Sequence, residues 1–409
     1  MSSIEGDRFV RGRTLDSLFS QIAMKPTQIY LTAEDLAAPF AQLLEGLAQV
    51  PAHEPRGICG FDGFIDTFVR VEAPGATMAQ FGPKVTAAAG ISTSFPAQHI
   101  GDKFGGNGPL FASALHGAAA GAINCTYIGA VGDGALEPIF AEALEGKMRR
   151  IVPLAVPAHS DCLEFSDGKI MLSDLRSCAE VTRERLLERM NVDELDELLR
   201  TSDFIAAVNW GKLVNVGAVW EYLAERLAGL GVPSKKVVFF MDLAEFEQRP
   251  EADGRELLAL IGRITRQCQT ILSLNLKEAW QMGTLCGLDF HGQKEPGQVT
   301  ALAAALKERV AADRIVIHPN NGAACASETG TVYVPGPFCR EPLISVGAGD
   351  NFGAGCLMGA LRGFDDTGML LSGVCTSGFF VRSGRSPNAT ELAFMVEKWR
   401  NGVLPERIP

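Results

Sequence analysis

Late in the chain, the stretch "SVGAGDNFGAG" (345–355) sets four glycines around one acid, Asp350. Small residues at the start of a helix let an oxyanion approach unpaired backbone N–H groups, and the helix dipole favours the negative charge. Gly347, Ala348 and Gly349 are therefore candidates for an anion hole. A dinucleotide fingerprint would read G-x-G-x-x-G after a first strand. Here Gly347, Gly349 and Gly353 are spaced G-x-G-x-x-x-G near the C-terminus, and the lysine of a phosphate-binding Walker loop is missing. A carboxylate beside a bound phosphate repels it, so Asp350 needs a reason to be there. It is either an acid stabilised at a helix N-terminus by roughly 0.3–1 kcal/mol, or a general base. As a base it would take the proton of a hydroxyl that attacks the phosphate held by the neighbouring N–H groups. Asp350 is the candidate catalytic residue.

Three further constellations carry chemistry. "GFDGFIDTFV" (60–69) places Asp62 and Asp66 at the end of a first strand, where open α/β sheets bind ligands. Two carboxylates there suit the hydroxyls of a polyol, or they cap a turn. "GGNGP" puts Gly105, Gly106 and Asn107 before an alanine-rich helix, bringing backbone and one amide to a ligand or simply feeding a packed helix. "LSLNLKEAW" sets Asn275 three residues before Glu278. That pair can hold magnesium through its water shell, or form a helix capping box. His99, His116 and His318 show no metal spacing, and none of the ten cysteines is paired as C-x-x-C. Free thiols in a reducing compartment are expected.

These residues need a scaffold, and the chain is long enough for one. It has 409 residues, 47% apolar and 21% charged, with a net charge of -11. An acidic chain lacks the basic face that nucleic acid requires. The N-terminus shows no apolar signal-peptide core, and no run approaches the roughly 18 apolar residues of a membrane span. A soluble, cytoplasmic protein is expected. Residues 1–55 read as a helical extension, with Thr32 as an N-cap and Asp35 three residues on. From residue 56, short unalternating apolar runs ("GICGFDGFI", "NCTYIGAVG", "DFIAAVNW", "KVVFFMDL", "QTILSLN", "RIVIHPN") alternate with helical patterns. That rhythm predicts a doubly wound, mainly parallel α/β sheet with helices on both faces. "PLISV" (342–346) reads as a strand leading into the glycine turn. Two stretches, 66–90 and 151–174, read as strands and turns without helices, with "SDGK" as a hairpin turn. They predict a small β-rich lid, with segments at about 66–100 and 151–180.

Taken in order, the early Gly/Asp strand, "GGNGP" with "IGAVGDG", "NLKE" and "GAGDNFGAG" resemble the ribokinase/PfkB superfamily of carbohydrate and nucleoside kinases. The resemblance covers roughly residues 56–395 and implies a ribokinase-like kinase domain over 56–400. It implies Asp350 as the catalytic base and Gly347, Ala348 and Gly349 as the anion hole for the moving phosphoryl. Asn275 and Glu278 would order Mg2+ and the donor phosphates. Asp66, with Asp62, would hold sugar hydroxyls, and Gly105, Gly106 and Asn107 would line the same pocket. Asn388 would lie near the adenine. Three departures stand out: Leu110 replaces a frequent asparagine, Ser345 and Val346 replace Asp-Thr, and Cys162-Leu163-Glu164 replaces the His-x-Glu of ADP-dependent sugar kinases. The missing histidine favours ATP. The expectation is a Mg2+-dependent transfer of the ATP γ-phosphoryl to a sugar hydroxyl. An ADP-dependent sugar kinase, a nucleoside kinase and a catalytically silent sugar-binding protein are the alternatives. Lids of such kinases often pair, which implies a homodimer.

Overall fold

The computed structural model describes residues 26–49 and 51–409. The first part of the predicted N-terminal extension lies outside the described residues. The strands are β1 (Thr27–Ile29), β2 (Arg56–Gly60), β3 (Phe64–Val71), β4 (Ala97–Gly105), β5 (Asn124–Gly129), β6 (Arg150–Pro153) and β7 (Ala158–Phe165). They continue as β8 (Gly168–Asp174), β9 (Phe204–Val208), β10 (Val238–Asp242), β11 (Gln269–Asn275), β12 (Arg314–His318), β13 (Gly322–Ser327) and β14 (Gly330–Pro335). Ten of them form one sheet in the order β1-β14-β13-β12-β11-β10-β9-β2-β5-β6. It is parallel except where β13 pairs with β12 and β14.

The apolar runs do not alternate because the sheet is covered twice. Phe204, Ala206 and Val208 of β9 join one core, with Val238 and Phe240 of β10. Ile205 and Ala207, with Phe239 and Met241, join the other. Side chains of a strand point alternately to its two faces, so both faces are apolar and both carry helices. This is the doubly wound architecture the rhythm predicts. The lid is a second sheet in the order β4-β3-β7-β8. Its β7–β8 hairpin closes with Phe165 opposite Gly168, across the turn read from "SDGK".

The structure corrects four sequence expectations. "GICGFDGFI" is not one strand: β2 stops at Gly60, and the chain enters the lid at Phe64. Asp62 sits at the junction and Asp66 within the lid sheet. The stretch 66–90 contains a helix, Met78–Ala87, capped by the Thr77 hydroxyl, which accepts from the Gln80 N–H at 3.1 Å. Phe81 of that helix packs on Phe95 and Phe165, with ring centroids at 4.6 and 4.9 Å. Residues 150–153 belong to the large sheet beside β5, not to the lid. "PLISV" is an exposed loop, with Leu343 55% and Val346 48% accessible. Its Leu343 N–H donates to the Val381 carbonyl of a helix at 2.8 Å, not to a strand. At the N-terminal side, Thr32 and Asp35 exchange hydrogen bonds of 2.9 and 3.3 Å. A regular helix follows at Ala37–Ala48, and its Phe40 and Leu43 enter the core.

The loop that leads to the glycine turn is anchored by Arg382, which is 2% exposed. Its guanidinium donates to the carbonyls of Pro337, Phe338, Gly378 and Pro405 at 2.7–2.9 Å. Arg382→Leu removes every one of these charged donors and leaves the carbonyls without them. Losing hydrogen bonds to a charged group costs about 1.5–3 kcal/mol each, and the terms do not add fully. A loss of about 3 kcal/mol or more is expected in a denaturant titration.

Candidate active site

Parallel strands end on the same side of a sheet, and five adjacent ones bring polar residues to one edge. Asp62 follows β2, Asn209 follows β9, Asp242 ends β10, Asn275 ends β11 and His318 ends β12. The helix Ala348–Leu361 adds Asp350 from its first turn. Ligands of open α/β sheets bind at this edge.

Gly347 caps that helix in the left-handed region, at φ +91°. A side chain there would be strained, which accounts for glycine. The Ala348 N–H turns back to the Ser345 carbonyl at 3.2 Å. The N–H groups of Gly347 and Gly349 have no acceptor among the described residues, so the anion hole rests on these two. Asp350 is 6% exposed, and its Oδ1 accepts from the Asn107 side-chain amide at 2.9 Å. Burial pushes its carboxyl well above the usual carboxylate range, and the charges of Asp242 and Asp62 push the same way.

Asp62 is fully buried. Its Oδ1 accepts from the Gly108 N–H at 2.6 Å, and its Oδ2 accepts from the Asn107 N–H at 2.9 Å and the Asn209 amide at 2.6 Å. Burial raises its carboxyl to about 6 against the pull of those donors. The expected role at sugar hydroxyls does not fit this geometry, because both oxygens are engaged inside the protein. Asp66 differs. One of its oxygens, Oδ1, is buried with no partner, and burial raises its carboxyl. Gly105 makes room for it: a Cβ on residue 105 would lie 2.3 Å from Asp66 Oδ2. Gly106 likewise clears Asp62 Oδ2, which would stand 2.9 Å from its Cβ. Asp62, Asp66, Gly105, Gly106, Asn107 and Asp350 therefore come together.

Asn275 and Glu278 make the full capping box: the Glu278 N–H donates to Asn275 Oδ1 at 3.0 Å, and the Asn275 N–H to Glu278 Oε2 at 3.0 Å. The Asn275 amide also donates to Oε1 at 2.6 Å. The box does not exhaust Glu278. Burial, followed by the Asp242 charge, raises its carboxyl well above the usual range, and Asp350 adds to this. Asp242 itself is raised to about 6 by burial, with Asp62 contributing. Four buried carboxyls thus repel one another at one edge. Such a set fits a cation. Among the described residues no three of His, Cys, Asp or Glu converge to grip a metal directly, so magnesium keeping its own water shell suits the donors.

Asn388 stands apart. It caps the helix Ala389–Arg400 in a box with Glu391. Its neighbour, the Pro387 carbonyl, lies 2.9 Å from a Cβ placed on Gly117. Gly117 is ten residues along the helix from Asn107, about 15 Å away. Cys162-Leu163-Glu164 lies in lid strand β7, where Glu164 faces Arg70 at 3.6 Å. Leu110 packs beside the glycine turn, 3.5 Å from where a Gly347 Cβ would be.

Sequence reading missed Asn209, Asp242 and His318. The His318 ring stacks on Phe352 at 4.5 Å between centroids, and its Nε2 is buried without a partner. Burial lowers the imidazole to about 4, which keeps it neutral. A signal existed: each is the polar residue that terminates an apolar parallel strand.

A doubly wound sheet with a four-stranded lid, and a buried acid in a glycine turn at the strand ends, define a kinase fold of the ribokinase/PfkB superfamily. The Arabidopsis thaliana ribokinase complexed with ribose and ATP superposes with a TM-score of 0.59 at 16% identity, covering 84% of this chain and 99% of that one. The adenosine kinase of Sinorhizobium meliloti gives 0.57 at 15% identity, covering 85% and 99%. The family model of the prokaryotic ketohexokinases matches residues 40–399, and the chain belongs to that family. A ketohexokinase of Haloferax volcanii is 25% identical over 358 residues, 82% of this chain and 89% of that protein. The chain is thus a ribokinase/PfkB-type phosphotransferase acting on a small molecule. Among the described residues no helix is long and apolar enough to cross a membrane.

Proposed function

We propose that the chain transfers the γ-phosphoryl of ATP to a hydroxyl of a ketohexose, with Asp350 as the general base. The observation that carries the reading is the Asp350 carboxyl, buried in the first turn of its helix and set beside the unpaired N–H groups of Gly347 and Gly349. The ketohexose rests on the family and on the name of the Haloferax volcanii relative.

The acceptor lies between the lid and the large sheet. Asp66, half-buried in the lid sheet, accepts hydrogen bonds from the acceptor's hydroxyls once its carboxylate turns outward, and its Oδ1 has no protein partner to hold it back. Asn107 holds Asp350 by one oxygen and leaves the other for the attacking hydroxyl. As the oxygen attacks, its proton passes to Asp350, and the N–H groups of Gly347 and Gly349 receive the charge on the phosphoryl oxygens. A raised carboxyl is a stronger base than an ordinary one, so burial among anions serves this step. Bound Mg2+ supplies neutralising charge to the donor phosphates. Asn275 and Glu278, fixed by the capping box, would hold it through its water shell. The four-stranded lid closes over the acceptor and keeps out water, which would otherwise take the phosphoryl.

ATP is preferred over ADP because Cys162 stands where the ADP-dependent sugar kinases carry the histidine of His-x-Glu. The intact base argues against a silent sugar-binding protein. Ketohexoses, aldohexoses, pentoses and nucleosides, each offered with ATP and with ADP, separate the alternatives. A ketohexose with ATP should give the highest kcat/KM. A higher value for a nucleoside, or for ADP as donor, would replace this reading.

A further inference from the structure

Asn209 closes the strand β9 in the left-handed region, at φ +64°, and is 2% exposed. The protein fixes it on every side. Its N–H donates to the Asp242 carbonyl at 2.8 Å, and its side-chain oxygen accepts from the Lys212 N–H at 3.3 Å. Its remaining group, the Nδ2 amide, points at Asp62 Oδ2 at 2.6 Å. Asp62 in turn holds the first two N–H groups of the helix Asn107–Ala118. The first residue of that helix, Asn107, carries the amide that meets Asp350. A continuous hydrogen-bonded chain therefore runs from the end of β9 to the base. Neither Asn209 nor Asp62 is accessible to an acceptor, so their hydrogen bonds reach Asp350 only through Asn107, while the Asp62 charge also acts on Asp350 through space.

We propose that Asn209 is a positioning residue for the phosphoryl transfer: its amide locks the Asp62 carboxylate, and Asp62 sets the helix start so that Asn107 aims Asp350. Without the amide, Asp62 keeps only the two backbone donors and is free to turn about them. The helix start then loses its fixed point, and Asp350 loses its orientation rather than its charge. Misplacing a reacting group by about 1 Å costs up to roughly 100-fold in rate. The assignment rests on Asp350 being the base.

Asn209→Gly is the variant of choice, because glycine adopts the left-handed backbone freely; it loses the amide donor to Asp62 and, with it, the long 3.3 Å acceptor for the Lys212 N–H. The full chain is assayed in the wild-type and in the Asp350→Asn background. The expected result is a kcat about 10- to 100-fold lower, with KM for ketohexose and for ATP little changed. In the Asp350→Asn background the same change should cost nothing more, because two groups acting through one step are not additive. Wild-type kcat in Asn209→Gly, or the same fold-loss in both backgrounds, overturns the positioning role and leaves the base assignment standing. Undiminished turnover by Asp350→Asn alone overturns the base assignment itself. If Asn209→Gly is unfolded at the assay temperature by circular dichroism, Asn209→Ser, whose hydroxyl is too short to hold Asp62 but which leaves the Asp62 charge in place, carries the same two-background comparison with the same outcomes.

Discussion

Asp350→Asn should lower kcat by about 10²- to 10⁴-fold, the usual contribution of a general base, while KM for the acceptor and for ATP stays within a few-fold. It should also stabilise the protein at neutral pH. The sign follows from linkage. The folded carboxyl titrates well above its ordinary value of 3.8 because it is buried beside Asp242 and Asp62. Between the unfolded and the folded values the native state holds a proton that the unfolded chain has released, so stability declines as pH rises through that window. Above the window the folded state carries an ionised acid in a poor environment. Asparagine keeps the size and can still accept the Asn107 amide, without the charge. The variant's melting temperature at pH 7.5 should therefore exceed the wild type's, and the gap should close as pH falls toward 4. Losing rate while gaining stability is the signature of a residue kept for chemistry. An active-site acid kept for structure would give the opposite pair. The same upward direction places the acid limb of the wild-type kcat/KM profile, which reports the free enzyme, above the ordinary carboxylate range.

The second large effect concerns the acceptor. Asp66→Ala should reduce kcat/KM for ketohexose by roughly 10- to 150-fold, the equivalent of losing one charged hydrogen bond of about 1.5–3 kcal/mol. The binding of ATP, measured by calorimetry without sugar, should hardly change. Gly105→Ala tests the same point without touching the acid. Its Cβ would stand 2.3 Å from Asp66 Oδ2, so the carboxylate must swing away. Both variants should raise the KM for ketohexose. Wild-type acceptor kinetics in both would remove Asp66 from the acceptor site.

The parts of this site legible in the sequence are those written in adjacent residues. The glycine turn and Asp350 occupy one short stretch, so type and spacing sufficed. The Asn275–Glu278 pair raised two readings, capping box or magnesium shell, and the structure makes the box while leaving Glu278 buried near Asp242. The two readings are compatible, because a cap fixes the carboxylate that then faces a cation. Asp62 was legible as a functional acid but not in its role, since its side-chain partner Asn209 lies 147 positions away. The helix Met78–Ala87 hid because its flanks, "APGAT" and "GISTSF", carry turn residues, and its Phe81 finds its aromatic partners, Phe95 and Phe165, outside the helix. "PLISV" has the composition of a strand, but its Leu343 N–H bonds to the helix carbonyl of Val381 and not to a strand. Local pattern finds the elements, and long-range pairing decides which of them a sheet accepts.

Phosphorus NMR of a reaction containing ATP, Mg2+ and a ketohexose tests the central claim most directly, because it follows the fate of the phosphoryl group. The wild type should produce one ketohexose phosphate for each ADP, with little free phosphate, and Asp350→Asn should produce both at about 1% of that rate or less. Release of inorganic phosphate without a sugar phosphate, or comparable sugar phosphate from the Asp350→Asn protein, would contradict the account.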